Sequence, residues 1–363
     1  MEGDLSDNQE LYEHHRFGVD PGQHTVRIDK FLFQKLEGIS RSRIQAAASA
    51  GNILVNGAEV KPSYRIKPGE QISIVLPHPP REFELIPEDI PLEILHEDDD
   101  VIVVNKQAGM VVHPGHGNYC GTLVNGLMYY LRDNPLFESG EVRPGLVHRI
   151  DKNTSGLLVV AKNEMALQKL ASQFYHKTAG RAYLALVWGD MESGEGTIQG
   201  NIGRNPRDRT QMTVFPEGDQ GKPAVTHYRV LERLGYVNLV ECRLETGRTH
   251  QIRVHFRHIG HPVFNDPDYG GDQILRGTTF TRYRQFVRNC FLLLPGQALH
   301  AATLEFQHPG TGQRVTFRAA IPDHFANPAG KMARICGRQG DGVTSGCSII
   351  KKDRTFKVLC IIL

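Results

Sequence analysis

Apolar positions along the chain change period several times, and the changes mark the elements. From Thr25, the residues Ile28, Phe31, Leu32 and Leu36 recur at helical spacing, with Gly38 placed to close the helix. Ser40 then offers an N-cap for a helix over 42–50, with Ile44, Ala47 and Ala48 facing inward and Arg41, Arg43 and Gln45 facing solvent. Two short apolar runs, 51–55 and 58–60, flank Asn56-Gly57, a dipeptide that tolerates the positive φ angles of a two-residue hairpin turn. A strand over 71–75 ends this small αα-plus-hairpin unit, which occupies residues 24–76. Residues 1–23 are polar, include His14-His15-Arg16, show no sustained period and are expected to form a frayed leader.

Leu76-Pro77-His78-Pro79-Pro80-Arg81 is a stiff break, because proline fixes φ and supplies no backbone donor. It opens a linker over 77–91. Residues 92–326 then read as many short strands with interspersed helices. Strands are predicted over 92–95, 101–105, 157–161, 183–187, 225–230, 239–244 and 301–306, and helices over 121–131 and 163–175. Mixed order with abundant hairpins predicts an α+β fold with a largely antiparallel mixed sheet, not a doubly wound parallel one. Residues 327–363 form a tail of unknown role.

Composition narrows the classes without naming one. The formal net charge is only +2, so a nucleic-acid site must be a local basic patch. Six scattered cysteines without C-x-x-C spacing, and a start at Met1-Glu2-Gly3-Asp4 that lacks a basic stretch followed by an apolar core, predict a reduced, cytoplasmic protein. No apolar run approaches the roughly 20 residues a membrane helix requires. The terminal Cys360-Ile361-Ile362-Leu363 fits the spacing of a prenylation signal, but an appended extension accounts for it as well.

Candidate chemistry concentrates in two loops. His148-Arg149-Ile150-Asp151-Lys152-Asn153-Thr154-Ser155-Gly156 places an acid between cations on a polar loop that feeds an apolar strand. Asp151 is either a reacting carboxylate or a turn residue capping Thr154 or Ser155. Glu245-Thr246-Gly247-Arg248-Thr249-His250-Gln251-Ile252-Arg253 follows an alternating strand and precedes the amphipathic run Val254-His255-Phe256-Arg257-His258-Ile259.

These two segments, with Arg181-Ala182-Tyr183-Leu184-Ala185 between them, resemble the RluA/RluD-type pseudouridine synthases, which convert uridine in RNA to its carbon-linked isomer. The resemblance spans about residues 24–325. It implies an isomerase with Asp151 as catalytic residue, Arg253 as its basic partner and Tyr183 as the active-site aromatic. It also implies that Arg149 enters the RNA stack as the base leaves, and that no cofactor or metal takes part. His148, Thr154, Ser155, Gly156, Arg248, Thr249, His250 and Gln251 are expected to support the loops. The N-terminal unit is similar to the S4 RNA-binding domain through Arg27 to Leu32, Ser40-Arg41-Ser42-Arg43 and Val55-Asn56-Gly57, so Arg41, Arg43, Lys61, Arg65 and Lys67 are expected to meet phosphates. Two departures touch loops: Gln107 follows Lys106 where the family usually has Pro, and Asn265-Asp266 replaces a common Gly-Asp pair.

The S4-like unit with the Asn/Asp-rich context of the motifs favours large-subunit (23S) ribosomal RNA as partner, free or in precursor particles, acted on by a monomer. A tRNA-directed enzyme shares the same machinery. A non-catalytic RNA-binding or ribosome-assembly protein would account for residues 24–76 but leaves Asp151, Tyr183 and Arg253 without a purpose. A metal-dependent hydrolase could draw on seventeen histidines, among them His113, His116, His255, His258 and His261, but no His-Glu-x-x-His motif occurs.

Overall fold

The computed structural model describes residues 12–36, 39–76, 85–115, 118–134, 136, 145–208, 210–218, 220–277 and 280–328. Gly38, the Pro-rich break and the tail from 329 onward, Cys360 included, lie outside them. The chain divides into two compact units, Met1–Phe83 and Glu84–Leu363.

In the first unit, α1 (Ile28–Lys35) buries Ile28, Phe31 and Leu32, and α2 (Arg41–Ser49) buries Ile44 and Ala48, as the helical spacing predicts. The Ser40 hydroxyl accepts from the Arg43 amide at 3.4 Å. Strands β2 (Ile53–Val55) and β3 (Ala58–Glu59) turn at Asn56 and Gly57, with φ of 49° and 83°. The supposed leader is partly wrong. Residues Tyr12–Gly18 form β1, paired antiparallel with β4 (Gln71–Leu76) in a sheet of order β1-β4-β2-β3. His15 and Arg16 are exposed and His14 and Phe17 only half-buried, so this edge strand has no apolar alternation to read; ladder hydrogen bonds hold it.

Asp29 is fully buried on the inner face of α1. It accepts from Arg27 (3.1 Å to each oxygen), Arg41 (3.0 Å) and Gln45 (2.6 Å). Burial alone would raise its pKa, but the hydrogen bonds from Arg27, Gln45 and Arg41 outweigh it and hold the carboxyl well below the usual range.

The second unit is a ten-stranded sheet. Its strands are β5 (Ile94–Glu97), β6 (Val101–Lys106), β7 (Ser155–Ala161), β8 (Gly180–Trp188), β9 (Glu195–Arg204), β10 (Met212–Phe215), β11 (Lys222–Arg233), β12 (Val237–Leu244), β13 (Leu299–Gln307) and β14 (Arg314–Arg318). They run in the order β10-β9-β11-β12-β8-β13-β7-β6-β5, with β14 on β13. Every pairing is antiparallel except β13 with β7, as the α+β reading predicts. The helices are α3 (Leu123–Tyr130), α4 (Glu164–Tyr175), α5 (Gln251–His258) and α6 (Thr281–Leu292). Strands β9, β10 and β14 and helix α6 had no element predicted over their residues. The Glu195–Arg204 segment carries three glycines and few apolar residues, so its pattern is too weak to read.

The parallel junction is unusually close. Ala301 of β13 pairs with Gly156 of β7 on one side and Tyr183 of β8 on the other. Gly156 has φ +115°, and a Cβ there would lie 2.3 Å from the Ala301 carbonyl oxygen. Only glycine fits, on both conformational and steric grounds. At the opposite end of β6, Asp98 fastens the β5–β6 turn to the β13–β14 turn. Its Oδ1 accepts from the amides of Asp100 and Val101, and its Oδ2 lies 2.8 Å from His96 Nε2 and 2.9 Å from His308 Nε2.

Two outcomes test this frame. Gly156→Ala is expected to destabilise the protein by about 3 kcal/mol or more, read from urea unfolding; parental stability would show that the two backbones can part. Burial pushes the Asp98 pKa up, but hydrogen bonds from His96, Val101, Asp100 and His308 bring it from 3.8 to about 2. A depressed carboxylate contributes stability that is complete above its unfolded pKa and is lost as pH falls through the folded one. Asp98→Asn should therefore lower the melting temperature at pH 6, with the gap closing toward pH 2.

Candidate active site

Sheet register assembles the site. Asp151 sits on the loop entering β7, five residues before the Gly156–Ala301–Tyr183 row, and Tyr183 lies in β8 one strand beyond β13. The loop after β12 carries Gly247 and Arg248 into α5, which presents Arg253. These groups line one cleft of about 450 Å³. Its lining includes Arg149, Lys177, Arg181, Arg248 and Arg253 but only one acid, Asp151, which supplies the local basic patch that a near-neutral chain requires. Tyr175, 82% exposed, stands on its lining.

The Asp151 side chain does not cap Thr154 or Ser155; the turn closes through its backbone carbonyl, which accepts from the Thr154 amide at 3.1 Å. The carboxylate is instead 21% exposed, with Oδ2 3.3 Å from Arg253 Nη1. Arg253 is nearly buried and also donates to both oxygens of Asp266 at 2.7 Å and to Asp268 at 2.5 Å. Burial would lower its pKa, but Asp266, Asp151 and Asp268 together raise it. Asp266 is fully buried. In the sequence Asp266 stands out only as half of a departing pair, although a lone buried Arg demands a carboxylate. The Asn265 departure is accommodated: φ is +60°, and its amide donates to the carbonyls of Phe291, Leu294 and Gly296. Asparagine thus supplies the left-handed turn that glycine would, and its two N–H groups are shared among three carbonyls.

Tyr183 is 7% exposed, and burial raises its pKa, with Arg181 opposing and Asp151 assisting, so its hydroxyl keeps its proton at neutral pH. His250 is the left-handed N-cap of α5 (φ 55°). Its Nδ1 lies 2.8 Å from the Tyr269 hydroxyl, and its Nε2 is 3.9 Å from Asp151. Burial is the main influence on His250 and lowers its pKa, so this last contact is not an ion pair at neutral pH. Gln251 is the most extensively hydrogen-bonded of these loop residues. It accepts from Thr246 Oγ1 and the Arg248 amide and donates to Val225 O and Thr226 Oγ1. Ser155 meets His300 Nδ1 at 2.8 Å, Thr154 accepts from Gln297 at 3.2 Å, and Arg248 Nε donates to Pro223 O. Thr249 and Arg149 are exposed.

Lys106 is a further support that the sequence reading passed over. It is 1% exposed, and its ammonium donates to the carbonyls of Gln107, Met110 and Lys152 at 2.7, 2.8 and 3.0 Å. Burial lowers its pKa to about 7, opposed by the charge of Asp151. Three acceptors match three N–H groups, and the Lys152 carbonyl fixes the residue after Asp151. In the N-terminal unit, Arg41 is tied to Asp29, while Arg43, Lys61, Arg65 and Lys67 are exposed.

Among the histidines cited for a metal site, His255 and His261 are hydrogen-bonded within the protein. His255 Nδ1 meets Thr226 and His261 Nδ1 meets the Trp188 carbonyl, His258 is exposed, and His116 lies outside the described residues. Among the described residues, His96, Asp98 and His308 bring three ligand-type atoms within 4.8 Å of one another. The donor pattern does not suit an ion. His308 Nδ1 accepts from the amides of Gly310 and Thr311, so its proton is on the Nε2 that faces Asp98.

Comparison with known proteins identifies the family. Residues 100–258 match the RNA pseudouridylate synthase family model, and residues 26–72 match the S4 domain. The chain is 48% identical over 307 residues to an uncharacterized RNA pseudouridine synthase of Chlorobaculum parvum, covering 84% of this chain and 93% of that protein. It is 44% identical over 303 residues to the ribosomal large subunit pseudouridine synthase D of Xanthomonas campestris, covering 82% and 86%. The solved human RNA pseudouridylate synthase domain containing 4 shares the fold, with a TM-score of 0.51 at 22% identity over 67% of this chain and 93% of that one. With an S4 domain followed by this catalytic sheet, the chain belongs to the RluA/RluD-type RNA pseudouridine synthases, a family of isomerases.

Proposed function

We propose that the protein isomerises specific uridines of bacterial large-subunit (23S) ribosomal RNA, free or within precursor particles, with Asp151 as the reacting carboxylate. The observation that carries this reading is the pairing of Asp151, the one acid on the lining of the cleft, with Arg253 at 3.3 Å. The name of the Xanthomonas relative supports the choice of RNA.

The reaction breaks the bond between uracil N1 and the sugar, turns the base while it is held, and joins its fifth carbon to the same sugar carbon. No atom enters and no electron is exchanged overall. A carboxylate serves as nucleophile or stabilises positive charge on the sugar. Arg253 keeps that carboxylate ionised and oriented, and Asp266 and Asp268 keep Arg253 in place. Tyr183 offers a ring to stack on the extruded base and a protonated hydroxyl to donate. Arg149, exposed beside Asp151, fills the gap left in the RNA stack. Arg43, Lys61, Arg65 and Lys67 contact phosphates through the S4 unit. The enzyme works as a cytoplasmic monomer.

Asp151→Asn is expected to abolish pseudouridine formation on an unmodified 23S transcript, by about a thousandfold or more, while melting temperature and RNA affinity stay near parental. Turnover at the parental rate would remove Asp151 from the chemistry; loss of folding would make it structural. Mapping pseudouridine in total RNA from cells with and without the gene separates 23S from tRNA targets. Removal of residues 1–83 should leave a folded catalytic unit that binds RNA more weakly and with a shallower dependence on salt. An unchanged salt slope would show that the S4 unit makes no phosphate contact.

A further inference from the structure

Two buried N–H donors in the cleft lack an acceptor. Arg181 Nε and His148 Nδ1 are both shielded from solvent and without a hydrogen-bond partner among the described residues. The His148 tautomer follows from its other nitrogen: Nε2 accepts from the Val159 amide at 3.1 Å, so Nδ1 carries the proton. Burial, with the Arg181 charge nearby, holds the His148 pKa at about 3, so the ring is a neutral donor. Both groups pack on one aromatic ring. His148 stacks on Phe174 at 4.4 Å with 14° between planes, and Arg181 Cζ is 5.6 Å from the same centroid.

Arg181 differs from the other cations of the cleft. Arg253 is bound by three carboxylates, Arg248 donates to a carbonyl, and Arg149 and Lys177 are exposed to water. Arg181 is partly buried and has neither an ion pair nor a hydrogen bond among the described residues. Gly247 makes room for it. The φ of Gly247 lies outside the left-handed region, so backbone freedom does not explain glycine, but a Cβ there would lie 2.7 Å from Arg181 Nη1. An unsatisfied buried donor costs about 1–3 kcal/mol, more when charged, and such a cost is recovered only when a ligand supplies the acceptor.

We propose that Arg181, assisted by His148, is an anion seat that takes a backbone phosphate beside the extruded uridine. The proposal rests on the RNA-isomerase reading above for the identity of the anion. A phosphodiester satisfies both a guanidinium fork and a neutral N–H, whereas a uracil carbonyl offers one oxygen and no charge. Seating that phosphate holds the nucleotide in the cleft equally before and during reaction, so the contact contributes to binding more than to the rate at saturation.

The test uses the full chain, an unmodified 23S transcript, and binding measured between 50 and 200 mM salt. Arg181→Gln is expected to weaken binding about tenfold and to reduce the slope of log K against log salt by about one. Saturating single-turnover rates should fall much less than affinity. Arg181→Lys should restore the slope. Gly247→Ala should weaken parental binding by crowding the guanidinium and add nothing in the Arg181→Gln background. Parental affinity and slope in Arg181→Gln, or slope loss that Lys does not restore, would overturn the seat. So would additive effects of the two substitutions. Melting curves of Arg181→Lys and Gly247→Ala guard against a folding artefact. A parent that binds with this slope dependence but forms no pseudouridine would refute the isomerase reading and leave the seat standing.

Discussion

The site depends on one buried charge. A guanidinium removed from water is tolerable only when its donors are bound by opposite charge, and Arg253 meets that condition through Asp266, fully buried and bidentate, with Asp268 beside it. Asp151 is the third carboxylate around the same cation and the least tightly held, at 3.3 Å. The arrangement lets Arg253 be fixed without Asp151. Asp151 is therefore oriented by the cation but not needed to support it.

The frame that delivers Asp151 is a second constraint, set by backbone. Its loop enters the sheet at the single parallel pairing, where Gly156 lies against Ala301 too closely for any side chain. Lys106 binds the Lys152 carbonyl from the neighbouring strand, so the loop is held on both sides of the turn. Rigid strands with a short tethered loop keep a reacting group in place at low entropic cost during reaction. The same row of residues carries Tyr183, which ties the aromatic to the acid through register alone.

Much of this was legible in the sequence because local rules and tertiary structure agree there. The helical spacing in 25–50, the Asn-Gly turn and the apolar strand 157–161 all form as the patterns predict. The Asp151, Tyr183 and Arg253 motifs converge because each ends on the sheet or on α5. What escaped has a common cause. Asp266 and Lys106 act through partners distant in sequence, or through backbone carbonyls, and a one-dimensional pattern does not encode such contacts. Strand β1 escaped because edge pairing needs no apolar face. Asn265 looked like a loop change, yet its positive φ and three carbonyl partners show a substitution that preserves geometry by a different chemistry.

Charge distribution links the site to its substrate class. A chain with a net charge of +2 does not attract RNA over its whole surface, so binding must be concentrated where cations are left unneutralised. Two kinds of cation are separated by the structure. Arg253 and Arg41 are paired with carboxylates, whereas Arg149, Lys177 and Arg181 have no carboxylate partner among the described residues. A cation already paired with a carboxylate adds less net positive charge to a surface than an unpaired one. Arg149, Lys177 and Arg181 line the same cleft as Asp151, and an approaching polyanion is thereby attracted to it.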